Sequence, residues 1–256
     1  PDRGWTVEEE SGSGGAVKTP GYMEWVKSTL FGVLFFLLVV RPFLLQAYHV
    51  PSGSMEVTLL PGDFLLVNKA AYGSRSPHRV PFTELSLPSF HVPGYDIPQR
   101  GDVLVFEYPL DRTQEYVKRC VAVGGDTVEM RDKVLYVNGR RRAEPYARHV
   151  DPEVRREHNR VFDTNKFTWQ LDYIVTEGGA DTVDWRYNPT RDNFGPLVVP
   201  QGKFFCLGDN RDTSSDSRFW GFVDREMIKG RPLILYFSWD RQRSLPRFDR
   251  IAHLIH

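Results

Sequence analysis

RGDVLVFEYPLDRTQEYVKRCVAVGGDTVEM, residues 100–130, is rich in β-branched and aromatic residues and is punctuated by glycine, proline and aspartate. Residues 102–107, 115–123 and 127–130 are therefore predicted as consecutive strands. The same texture recurs at 63–68, 134–137, 203–207 and 233–239, and Asn138-Gly139 marks a tight turn directly after one of these runs. The expected fold is mainly β. A stretch of about 140–196 breaks the pattern, being polar and charged with only short candidate strands such as 167–175. It reads as an inserted subdomain to which no chemistry is assigned.

Before the β region, residues 22–40 read YMEWVKSTLFGVLFFLLVV and end in an uninterrupted apolar run from Leu30 to Val40. With Glu24 and Lys27 at its wet end, this is about the length that crosses a bilayer as a helix. A buried core helix is the competing reading, but the run is apolar all round where a soluble helix shows one polar face. A cleavable leader fits poorly, because Arg41-Pro42-Phe43 follows the run in place of small residues. The expected plan is a disordered tail over 1–21, an anchor over 22–43, and a catalytic domain over 44–256 carrying the insertion. The sequence starts at Pro1, so its natural start is expected upstream. At the other end, Arg241, Arg243, Arg247 and Arg250 alternate with apolar residues against the single acid Asp249. That pattern predicts a terminal helix, either solvated or lying on anionic lipid.

Lysine plus arginine and aspartate plus glutamate both total 33 in 256 residues, so no global field points to nucleic acid or to an acidic substrate. The seven histidines lack ligand spacing, and Cys120 and Cys206 form no metal pattern; neither a metal nor a cofactor is expected. Each cysteine reads as a core residue, with a single bridge between them as the alternative in an oxidising compartment.

Three segments could carry chemistry. PSGSMEVTL, residues 51–59, places Ser52 and Ser54 on either side of Gly53, which can expose a serine and turn an N–H toward an oxyanion. Ser-Gly-Ser is also a common loop sequence. His49 stands five residues before Ser54, but no Gly-x-Ser-x-Gly elbow is present and no acid is clearly placed to orient it. Lysine is the other known partner of a nucleophilic serine, provided burial lowers its pKa from about 10.4 toward neutrality. Lys118 lies within the apolar run YVKRCVAVGG, although a strand lysine pointing to solvent is the plainer reading of that run alone. The third segment, GDNRDTSSDSRFWGFV at 208–223, concentrates acids, arginines and serines before a cluster of aromatics. Such density suits a packed loop held by Arg–carboxylate pairs, in which a fixed hydroxyl could orient Lys118.

Taken in this order after an apolar anchor, PSGSM, GDFLLVNKAAYG, RGDVLVFEYP with YVKRCVAVGGD, and GDNRDTSSDSRFWGFV resemble the type I signal peptidases of bacteria. The resemblance covers roughly 25–137 and 197–239. It implies an antiparallel β catalytic domain behind one transmembrane helix in the bacterial cytoplasmic membrane, with the N-terminus inside and the domain on the outer face, against lipid. It implies Ser54 as nucleophile, Lys118 as general base, and an oxyanion hole from the Ser52 hydroxyl and the Ser54 N–H. Ser214 would orient the lysine, and Asp216 with Arg218 would form a supporting ion pair that Asp212 joins. The substrates implied are secretory preproteins carrying signal peptides, bound as an extended strand with small residues one and three positions before the cut. Self-cleaving repressor-type Ser–Lys enzymes, conjugation or organelle processing peptidases, and a catalytically silent membrane adaptor are the competing readings. Two departures stand out: Val57 sits where the family usually has proline, and Cys120 and Cys206 replace aliphatic residues on strands that the resemblance makes neighbours.

Overall fold

The computed structural model describes residues 21–75, 91–156, 166–175 and 187–255. The predicted tail over 1–21 lies outside these apart from Gly21, and the insertion is described only in part.

Helix α1, Tyr22–Phe35, has no buried residue and runs without a break into a π-helical stretch, Phe36–Leu44, that contains Pro42. At about 1.5 Å per residue α1 is about 21 Å long, short of the roughly 30 Å of a hydrocarbon core. No helix of the described residues is long and apolar enough to cross a membrane.

The strands, in chain order, are β1 Leu45–His49, β2 Asp63–Asn68, β3 Gly73–Arg75, β4 His91–Pro93, β5 Val103–Tyr108, β6 Asp111–Val123, β7 Thr127–Arg131 and β8 Val134–Val137. They continue with β9 Arg140–Arg141, β10 Phe194–Val198, β11 Lys203–Leu207, β12 Val223–Asp224, β13 Ile228–Asp240, β14 Leu245–Pro246 and β15 His253–Leu254. Among the described residues these make a mainly antiparallel fold. The large sheet has the order β1-β2-β13-β5-β6-β11-β12, with β14 and β15 added on β13, and a second sheet has the order β10-β7-β8-β9. Seven predicted runs coincide with strands, two of them extended considerably: β6 begins at Asp111 and β13 spans 13 residues.

Three expectations are corrected. Residues 167–175, expected as a strand, form the 3-10 helix Thr168–Asp172, and only Ile174 bridges to Leu197. This short helix turns Trp169 and Gln170 inward, where both donate to the carbonyl of Arg218, at 3.3 and 3.0 Å. Nor is the stretch 140–196 wholly a separate insertion: β9 and β10 complete the sheet of β7 and β8. Finally, the expected C-terminal helix does not form. Pro246 pairs with Trp239 and Leu254 with Ile234, while Arg250 reaches the fully buried Asp63 at 2.7 Å. Asp63 also accepts from Ser238 Oγ at 2.6 Å and from the Leu60 N–H at 2.8 Å. A buried carboxylate has to be paired, and the basic tail supplies its cation.

Candidate active site

The turn after β1 is built like one turn of helix, with the Thr58 and Leu59 N–H groups both donating to the Met55 carbonyl, at 3.0 and 2.8 Å. Met55 and Leu59 lie four residues apart on one face and are buried among Val50, Val103 and Val105. That anchoring leaves Ser54 on the opposite face, toward an open cleft of about 960 Å³. A Cβ at Gly53 would lie 2.9 Å from Glu56 Oε1, so the Glu56 side chain folds directly over this glycine. Val57 sits at φ 94°, a strained conformation for a β-branched residue. Proline, locked near −65°, could not adopt it, so the loop here follows a path closed to the usual family residue.

Lys118 arrives from β6, whose pairing with β5 sets it opposite Leu104. Its Nζ donates to Ser54 Oγ at 2.6 Å, and the side chain is 4% exposed. The Tyr116 ring lies 5.3 Å from the ammonium nitrogen. Burial lowers the Lys118 pKa from its ordinary 10.5 to about 8, against the opposing pull of the Asp216 charge. The next residue along the strand, Arg119, makes a buried two-point contact with Asp209, at 2.9 Å for each bond, and Thr58 Oγ1 donates to the same carboxylate at 2.5 Å. The strand is thereby fastened to the Ser54 turn on both sides of the site.

Ser52 Oγ lies 3.5 Å from Ser54 Oγ. Asp216 and Arg218 form a fully buried bidentate pair, with both bonds 2.8 Å long. Burial alone would push the Asp216 carboxyl up, but the Arg218 charge and hydrogen bonds, with the Gly208 N–H, hold it below the usual range. Ser214 is buried, and its hydroxyl has no hydrogen-bond partner among the described residues, so the expected bond to Lys118 is not made. It does lie close by: a side chain at Gly208 would collide with both the Ser214 hydroxyl and the Ser54 carbonyl. Asp212 stands apart. It receives Lys133 Nζ at 3.1 Å and the Val150 and Asp151 N–H groups, and meets the Asp216–Arg218 pair only through Arg191. The ring of His49 packs on Phe64 at 4.9 Å between centroids.

Cys120 and Cys206 are free, fully buried and paired in register across β6 and β11. Burial pushes the Cys206 thiol up, and both cysteines pack in the apolar cluster of Leu104, Phe106 and Phe204. Sequence reasoning missed several participants. Glu56 in the nucleophile turn and Asn210 beside it bond each other, Arg148 reaches Glu56 from the insertion, and Glu144 holds Arg211. Glu56 and Asn210 lay within quoted motifs; Arg148 and Glu144 carried no local signal.

Two strand edges open onto the cleft. Among the described residues β1 pairs only with β2, and β11 covers β6 only from Arg119 onward, so no described strand pairs with one side of residues 115–118. Residues 46–49 and 115–118 both line the opening, and Tyr48 Oη donates to Glu115 across it at 3.4 Å.

A family model described as signal peptidase, peptidase S26, matches residues 22–237. The signal peptidase I of Pseudomonas aeruginosa is 37% identical over 248 residues, which cover 92% of this chain and 80% of that protein. The protein of the same name from Pseudomonas fluorescens is 36% identical over the same shares. That of Aquifex aeolicus is 34% identical over 233 residues, covering 82% of each chain.

Proposed function

Because the chain belongs to the peptidase S26 family of signal peptidases, we propose that its reaction runs through Ser54 as nucleophile and Lys118 as general base. The chain is a serine peptidase that cleaves signal peptides. The observation that carries the assignment of its dyad is the 2.6 Å contact between Ser54 Oγ and an amine buried enough for its pKa to fall to about 8. With the amine neutral, the hydrogen bond reverses and the hydroxyl donates to nitrogen.

Ser54 Oγ then attacks the scissile carbonyl while its proton passes to Lys118. The Ser54 N–H and the Ser52 hydroxyl are proposed to receive the developing oxyanion. The protonated lysine gives its proton to the departing amine, and water, activated by the same amine, hydrolyses the ester and regenerates Ser54. Ser214 is proposed to steady the amine during these transfers, and the Asp216–Arg218 pair to hold the loop that carries it.

The substrate is proposed to enter as an extended strand between the free edges of β1 and β6. There, backbone hydrogen bonds give affinity with little regard to sequence. Selection would then fall on small side chains one and three residues before the cut. The largely apolar α1, which has no buried residue, and the stretch beyond it are proposed to hold the enzyme in a bacterial cytoplasmic membrane as a single-pass anchor, with the domain on the outer side.

The test is incubation of the detergent-solubilised chain with a secretory preprotein, followed by sequencing of the new N-terminus. Cleavage is expected after an Ala-x-Ala-like site and is expected to vanish in Ser54→Ala and Lys118→Met. At pH 7 roughly one lysine in ten is neutral, so the rate should climb about tenfold per pH unit below pH 8 and level off above it. Turnover by either variant, or a rate that rises as pH falls, would remove the dyad.

A further inference from the structure

The segment 144–151, within the insertion, forms one side of the Ser54 turn. Arg148 lies in a parallel bridge beside Asn210: its N–H donates to the Asp209 carbonyl at 2.7 Å, and its carbonyl accepts from the Arg211 N–H at 2.9 Å. The segment is locked there by Glu144, whose carboxylate receives two bonds from the buried Arg211, at 2.8 and 2.5 Å. Its other end is held by Asp212.

From this seat the Arg148 guanidinium donates to Glu56 Oε2 at 3.1 Å. Asn210 Nδ2 donates to the same oxygen at 3.2 Å and approaches the Gly53 carbonyl at 3.4 Å, while its N–H holds the Ser54 carbonyl at 3.1 Å. Glu56 in turn lies folded over Gly53, where a Cβ would sit 2.9 Å from its other oxygen. The Glu56 carboxylate thus lies over Gly53, the residue before Ser54, and is held by Asn210 on one side and from the insertion by Arg148 on the other.

We infer that Arg148 is a positioning residue: through Glu56 it fixes the turn that aims Ser54 at Lys118. The inference rests on Ser54 being the nucleophile. The ion pair is half exposed, with side chains 50% and 31% accessible, so it contributes little to folding. Aim is a different matter, because a displacement of a fraction of an ångström at a nucleophile slows the chemical step far more than it weakens the fold.

The experiment compares the parent with Arg148→Ala, Arg148→Lys, Glu56→Gln and the charge-exchanged pair Glu56→Arg with Arg148→Glu. It reads kcat and KM on a preprotein-derived peptide, the p-nitrophenolate burst from p-nitrophenyl acetate, and the unfolding midpoint. Arg148→Ala and Glu56→Gln should each lose about tenfold in kcat and in burst rate, with KM and midpoint near the parent's. The lysine variant and the exchanged pair should each recover part of that loss. If Arg148→Ala unfolds, the near-isosteric Glu56→Gln carries the test. Rates within twofold of the parent, a loss confined to KM, or an exchanged pair no better than the single variants would each overturn the inference. Ser54→Ala is run alongside: its activity alone would show that the nucleophile assignment, and not the role of Arg148, had failed.

Discussion

Arg218 and Lys118 are buried to the same degree, at 0% and 4% exposure, yet their surroundings treat the positive charge in opposite ways. Arg218 has a bidentate carboxylate two residues away, further bonds to the carbonyls of Arg191 and Arg211, and an aromatic ring beside it. Lys118 meets a hydroxyl and a ring, and among the described residues no carboxylate lies within ion-pair distance of it. A planar, always-charged group with a matched acceptor is a fixed strut; an amine denied one can lose its proton near neutral pH. The same loop supplies both environments, because Asp216 faces its own arginine and reaches Lys118 only as a distant field.

The sharpest way to break this contrast is Asp216→Asn, which leaves the Arg218 charge buried without its counter-ion. Removing one partner of such a pair costs about 3–5 kcal/mol, so denaturant unfolding should show a loss of that size. Asp216 also raises the lysine pKa, so the acid-side limb of the surviving activity, where the rate climbs with pH, should move to lower pH. An unchanged unfolding midpoint would mean that Arg218 is not held as a strut.

Lys118→Met tests the other half, with the opposite sign. The fall from 10.5 to about 8 corresponds to about 3 kcal/mol of unfavourable burial. Below pH 8 the lysine is protonated in both the folded and the unfolded chain, and the folded state bears the full penalty. Between pH 8 and 10.5 the unfolded chain binds more protons, so stability rises with pH. The methionine variant should therefore be more stable than the parent at pH 7, by up to about 3 kcal/mol, and the advantage should shrink through pH 8 to 10.5. Denaturation curves at pH 7 and 10 decide it. A variant less stable than the parent at pH 7 would show that the lysine is not under strain.

What made the fold legible was the strand texture around Lys118, since β-branched runs bounded by glycine and aspartate need only local information. The same locality explains the failures. Arginine and apolar residues alternating at 241–256 look like an amphipathic helix until a buried Asp63, far away in sequence, claims Arg250. Trp169 and Gln170 face inward because a carbonyl of the Asp216 loop awaits them, which no window of neighbouring residues could show. In the site, Ser54 and Lys118, and Asp216 and Arg218, come together as two pairs. Asp212 joins neither directly, because a string of acids and arginines cannot say which acid meets which base. Glu144 and Arg148 were invisible for a related reason: their partners lie more than sixty residues away.

Ser214 offers the smallest effect on folding and the finest test of how Lys118 is managed. Its hydroxyl is buried and has no partner among the described residues, so Ser214→Ala removes an unsatisfied polar group; stability should stay within about 1 kcal/mol of the parent, or rise slightly. If that hydroxyl turns to the amine when Ser54 gives up its proton, the bond exists only during reaction, and its loss should fall on kcat with KM nearly unchanged. One such bond, at roughly 1.4 kcal/mol, is about tenfold in rate. Full activity in the alanine variant would leave Lys118 oriented by burial and by Ser54 alone, and the serine would be left with no role beyond filling the space against Gly208.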